Sequence, residues 1–69
     1  MRRTEDAILA VIREMEGRPV TRETNLNELS ADMVELQFAL ETGLAVILSN
    51  SDMAEIQTVG ELADKCLAQ

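Results

Sequence analysis

Three runs of this chain carry apolar residues at helical spacing, and each run is bracketed by residues that start or stop a helix. Over residues 4–16, Ile8, Leu9, Val11, Ile12 and Met15 recur at that spacing, Thr4 can cap the amino end, and Gly17 with Pro19 ends the run. A second helix is expected from residue 31 to about 42. Ser30 would be its cap, Asp32 and Glu35 lie in its first turns where the helix dipole favours negative charge, and Gly43 marks its end. The last helix opens at Thr58-Val59-Gly60-Glu61, the spacing of a capping box, and is expected to turn Val59, Leu62, Ala63, Cys66 and Leu67 inward. Gly60 in its first turn is a mild helix penalty.

Between these runs the expectations are weaker in pattern. Residues 18–29 are polar and irregular, with Val20, Leu26 and Leu29 available to pin them to a core, and a connection of that length is often functional. A short helix is expected over residues 52–56. Residues 45–48 have the composition of a strand but no partner strand, so they read as a buried loop. The expected architecture is all-α: one domain over residues 1–69, built as a small bundle of three main helices and one short helix.

Composition narrows the function classes. A chain of 69 residues buries only a modest core and leaves little material for a catalytic cleft. It has no histidine, the usual near-neutral acid and base, so proton transfer would rest on carboxylates alone and no enzyme activity is expected. Cys66 has neither a second cysteine nor a histidine to join, which argues against an internal disulfide or a thiolate metal site and points to a reducing, cytoplasmic setting. Arg2 and Arg3 are followed by Glu5 and Asp6 rather than by an apolar run, so no signal peptide is expected. The longest apolar stretch, residues 44–48, is far too short to span a bilayer.

Charge is distributed unevenly. The cations are Arg2, Arg3, Arg13, Arg18, Arg22 and Lys65, so residues 23–64 hold nine carboxylates and no cation. Such a surface repels nucleic acid and anionic membranes and steers basic protein partners into encounter, although acidity also serves plain solubility. Glu5, Asp6, Glu14 and Glu16 read as ordinary solvated charges. Met33 and Met53 read as core or cavity lining.

The second helix does not fit one stripe. At about 100° per residue, Met33, Leu36, Ala39 and Leu40 share one face, while Val34 and Phe38 lie together on another, flanked by Glu35 and Glu41. A helix in the centre of a bundle would bury both faces. The other possibility is a partly exposed apolar contact inside an acidic ring, the layout of a docking hot spot with a charged rim.

Two blocks carry a resemblance to a known family. The segment Ser30-Ala31-Asp32-Met33-Val34-Glu35-Leu36-Gln37-Phe38-Ala39-Leu40-Glu41 and the later Ile56-Gln57-Thr58-Val59-Gly60-Glu61-Leu62 resemble the acyl carrier proteins. That family has a serine at the start of its second helix, then Asp-x-Val-Glu-Leu-x-x-Ala-Leu-Glu, and later Ile-x-Thr-Val-x-x-Leu. No gap is needed between the blocks. The resemblance spans roughly residues 20–67, with the first helix matching in pattern only. It implies a carrier whose serine, matched here by Ser30, receives the 4'-phosphopantetheine arm of coenzyme A from a phosphopantetheinyl transferase. Acyl groups then ride on the arm as thioesters between enzymes of fatty-acid, polyketide or related biosynthesis. It further implies that Asp32, Glu35 and Glu41 meet basic residues of acyl-transfer or condensing enzymes while Val34 and Phe38 supply the apolar contact. A phosphodiester at a helix amino terminus would meet unpaired amides and the positive end of the dipole.

The chain departs from the family at the attachment point, where Leu29-Ser30-Ala31 stands in place of Asp-Ser-Leu preceded by Leu-Gly, about three residues short upstream. In one register Ser30 is the attachment serine; in the other it replaces the glycine and the serine is deleted. The first keeps residues 30–62 gapless and is preferred. Two further readings stand beside the carrier: a carrier-like acidic interaction module without a prosthetic group, and an unrelated acidic helical adaptor. A monomer is expected for the carrier and a stable dimer for the adaptor.

Overall fold

The computed structural model describes residues 4–69, in the order α1 (Glu5–Glu16), a single 3-10 turn (Leu26–Glu28), α2 (Met33–Leu44), α3 (Asn50–Glu55) and α4 (Val59–Leu67). The expected all-α plan of three longer helices and one short one is what the chain adopts. Among the described residues there is no strand, only one isolated antiparallel bridge between Asn25 and Thr58.

Helix α1 forms where its capping residues dictate. The Thr4 hydroxyl accepts from the Ala7 amide, Glu5 and Asp6 face the positive end of the dipole, and Gly17 takes the left-handed conformation at φ 68° so that its amide closes on the Arg13 carbonyl. Ile8, Leu9 and Ile12 are buried, and α1 packs against both α2 and α4. It is the centre of the bundle.

The long connection after α1 is fastened at both ends. Val20, Leu26 and Leu29 are buried, and the Arg13 guanidinium donates to the Val20 carbonyl at 3.0 Å. Three backbone hydrogen bonds then tie it to the start of α4: Leu26 donates to Gln57, Val59 to Thr24 and Gly60 to Arg22, at 2.8, 2.9 and 2.9 Å. A Cβ at Gly60 would lie 2.9 Å from the Arg22 carbonyl oxygen, so glycine is needed here for close backbone approach, a role beyond the helix penalty expected of it. The capping box of Thr58 and Glu61 forms as expected.

The end of α2, the start of the short helix and the placement of Leu67 differ from expectation, as does the start of α2 at Met33 rather than residue 31. Helix α2 passes through Gly43 to Leu44, because Leu44 is needed in the core, and the left-handed residue that ends it is Ala45 at φ 55°. The short helix starts earlier, at Asn50, since Ser49 and Asp52 form a reciprocal capping box. Leu67 is half exposed rather than inward, standing at the margin of the α4 stripe in the last turn; Val59, Leu62, Ala63 and Cys66 are buried as expected.

Residues 45–48 alternate like a strand: Val46 and Leu48 are buried, Ala45 and Ile47 exposed. With no partner strand, side chains satisfy their backbone. The Ile47 amide donates to Gln69 Oε1 at 2.8 Å and the Gln69 amide nitrogen donates back to the Ile47 carbonyl. The Leu48 amide donates to Glu41 Oε2 at 3.1 Å, and Gln37 donates to the Leu48 carbonyl. The loop is therefore buried only at every second residue.

Candidate functional site

The approach to α2 gathers the residues of interest, in an arrangement different from the simple cap expected of Ser30. Asp32 is the N-cap: its Oδ1 accepts from the Val34 amide at 2.8 Å, and the helix begins at Met33. Ser30 lies two residues outside the helix and is exposed. Aspartate caps at least as well as serine, and the Ser30 hydroxyl is engaged elsewhere.

Its partner is Glu16, the last residue of α1. Glu16 Oε1 accepts from the Ser30 amide at 2.8 Å and from the Ser30 hydroxyl at 3.1 Å, while Oε2 accepts from the Ala31 amide at 2.9 Å. Arg18 completes the set, its Nε 3.6 Å from Glu16 Oε1 while its Nη2 donates to the Glu28 carbonyl. The Glu16 side chain has no exposed surface, so it is not the solvated charge its sequence position suggests. The Ser30 amide above all, then the Ala31 amide, the Ser30 hydroxyl and the Arg18 charge, hold its carboxyl below the ordinary glutamate value against an opposing push from burial. One signal in the sequence bears on this. A glutamate in the last turn opposes the helix dipole and calls for compensating donors.

Helix α2 presents two faces, and only one is buried. Leu36, Leu40 and Leu44 are buried in the core, with Met33 packed at its edge. Val34 and Phe38 are 71% and 69% exposed. The possibility that the bundle covers both faces is thereby excluded. Glu35, beside them, is exposed; Glu41 is half buried, and one of its oxygens is committed to the Leu48 amide.

The described cations are all engaged away from this face. Arg13 is on the Val20 carbonyl, Arg18 on Glu16 and Glu28, Arg22 on Glu5 and Asp64, and Lys65 on Asp52 and Glu55. Arg2 and Arg3 lie outside the described residues. Among the described residues no cation pairs with Asp32, Glu35 or Glu41, and none of them offsets the negative charge beside the apolar pair.

Met33 and Met53 are partly buried, and both line a cavity of about 550 Å³ with Leu26, Ile56, Asn25, Asn27 and Gln57. Among the described residues no cluster of acidic or cysteine side chains could hold a metal ion, and no helix is long and apolar enough to cross a membrane. Compared with protein-family models and with curated proteins, the chain matches none.

Proposed function

We propose that this chain is an acyl carrier protein that bears a 4'-phosphopantetheine arm on Ser30 and presents acyl thioesters to partner enzymes of fatty-acid, polyketide or related biosynthesis in the cytoplasm. The observation that carries the reading is the exposed pair Val34 and Phe38 on α2, bordered by Glu35 and Glu41 and close in sequence to an exposed serine. An apolar anchor inside an acidic border suits a partner with a basic rim around an apolar pocket, such as a phosphopantetheinyl transferase or an acyl-transfer or condensing enzyme. The chain works as a monomer and catalyses nothing itself. When bound, the arm supplies the thiol that carries the acyl group.

The residues at Ser30 fit such a group in chemistry. The amides of Ser30 and Ala31 already hold an anion, the Glu16 carboxylate, so the donor set suits the negative charge of a phosphodiester. Those same contacts favour a second reading, in which the chain is a carrier-like acidic interaction module with no prosthetic group and Glu16 permanently fills the place of the phosphate. The two readings separate on one measurement. The chain is incubated with coenzyme A and a broad-specificity phosphopantetheinyl transferase, and its intact mass is read. The carrier reading predicts one added arm, lost in Ser30→Ala; no adduct favours the module, and an adduct that survives Ser30→Ala defeats attachment at Ser30.

A further inference from the structure

Glu16 and Ser30 are joined more closely than a surface contact requires. The Glu16 carboxylate accepts from both the amide and the hydroxyl of Ser30 and from the Ala31 amide, its side chain is fully covered, and Arg18 stands over it. Hydrogen bonds to a charged acceptor are the strong ones, so the unmodified serine is held at the end of α1.

We propose that Glu16 is a latch on Ser30: it restrains the unmodified hydroxyl, and formation of a phosphodiester there expels it from the amides of Ser30 and Ala31. The proposal rests on the carrier reading and adds a regulatory step to it. In loading, Ser30 Oγ attacks the phosphorus of coenzyme A that bears the pantetheine. An Oγ–P bond forms, the pyrophosphate P–O bond breaks with its electron pair leaving on adenosine 3',5'-bisphosphate, and the hydroxyl proton passes to the transferase's base. Before this step the Glu16 carboxylate, with Oε1 3.1 Å from Oγ, repels the incoming pyrophosphate. Afterwards Oγ has no proton to donate, and a second anion stands where Glu16 was satisfied. The two anions compete for one pair of amides, and the covalently fixed one holds them. Release of Glu16 frees the carboxyl end of α1 from the segment before α2, so loading also loosens that junction.

The test compares the parent chain, Glu16→Gln and Glu16→Ala, incubated with coenzyme A and a broad-specificity transferase, with loading followed by intact mass and amide signals by nitrogen-15 NMR. The latch predicts that Glu16→Ala loads roughly tenfold faster than the parent, the lower end of what charge-assisted hydrogen bonds are worth. It also predicts that loading the parent shifts the Ser30 and Ala31 amide signals and returns the Glu16 carboxyl to the ordinary titration range. Loading of Glu16→Ala with none of the parent overturns the latch in favour of the module, because Glu16 then fills the site permanently. Equal or slower loading of Glu16→Ala, or an unchanged Glu16 titration after loading, overturns the latch and leaves the carrier reading intact. Failure of every variant to load overturns the carrier reading and the latch with it. If Glu16→Ala does not fold, the isosteric Glu16→Gln carries the same comparison.

Discussion

The amide of Gly60, in the first turn of α4, donates to the carbonyl of Arg22 at 2.9 Å, and that carbonyl occupies the space a Cβ on residue 60 would need. In an open helix, replacing glycine by alanine stabilises by about 1 kcal/mol. Here the sign is expected to reverse. Gly60→Ala should lower stability by about 1–3 kcal/mol, the usual cost of overpacking, because the Arg22 carbonyl and Cβ must yield as well as the end of its side chain. Urea denaturation measures it, and a stabilised variant would show that the connection does not press against α4.

Glu16 predicts an acid-side dependence. Its folded carboxyl lies below the ordinary value of 4.5, so in the acid range the unfolded chain binds more protons than the folded one. Its contribution is fully present above the unfolded value and is lost as pH falls through the folded value. Asp52, lowered chiefly by the Ser49 amide, adds a contribution of the same sign. Glu16→Gln should be less stable than the parent near neutrality, with the gap closing as pH falls past the ordinary value of 4.5 and through the lower folded one. Urea midpoints across that range give the answer; a constant gap would contradict the anchoring.

The two faces of α2 should respond oppositely to truncation. Leu40→Ala, at a fully buried position, is expected to cost about 2–5 kcal/mol, whereas Phe38→Ala should fall within about 0.5 kcal/mol of the parent. A large loss at Phe38 would mean that its ring supports the fold rather than a partner.

The start of α2 gives a further check. Asp32→Ala should cost about 1 kcal/mol and Asp32→Asn much less, since asparagine caps as well as aspartate. Equal losses in thermal unfolding would place the helix start elsewhere.

Much of the fold was legible because local signals agreed with one another. Thr4, Gly17 and the box at Thr58 and Glu61 marked helix ends through caps that need no tertiary context, and the spacing of Ile8, Leu9 and Ile12 defined the central helix. The exposed apolar face of α2 was visible as one of two alternatives, because periodicity separates Val34 and Phe38 from Leu36 and Leu40 but does not say whether a neighbour covers them. Long-range contacts explain the misses. Serine before a helix is usually its cap, but here Glu16, distant in sequence, takes the Ser30 hydroxyl and amide. Gly60 carried only its local propensity until the Arg22 backbone was seen against it. The loop at residues 45–48 is held by Glu41, Gln37 and Gln69 side chains, pairings that no periodicity encodes.

Docking of partners on the exposed face of α2 is read out by adding a phosphopantetheinyl transferase to the isotope-labelled chain and mapping amide shifts. Docking there puts the largest shifts at Ser30, Val34, Glu35 and Phe38, and they fade with added salt and in Glu35→Lys. Shifts centred on another face, or unchanged by salt and by Glu35→Lys, would contradict it.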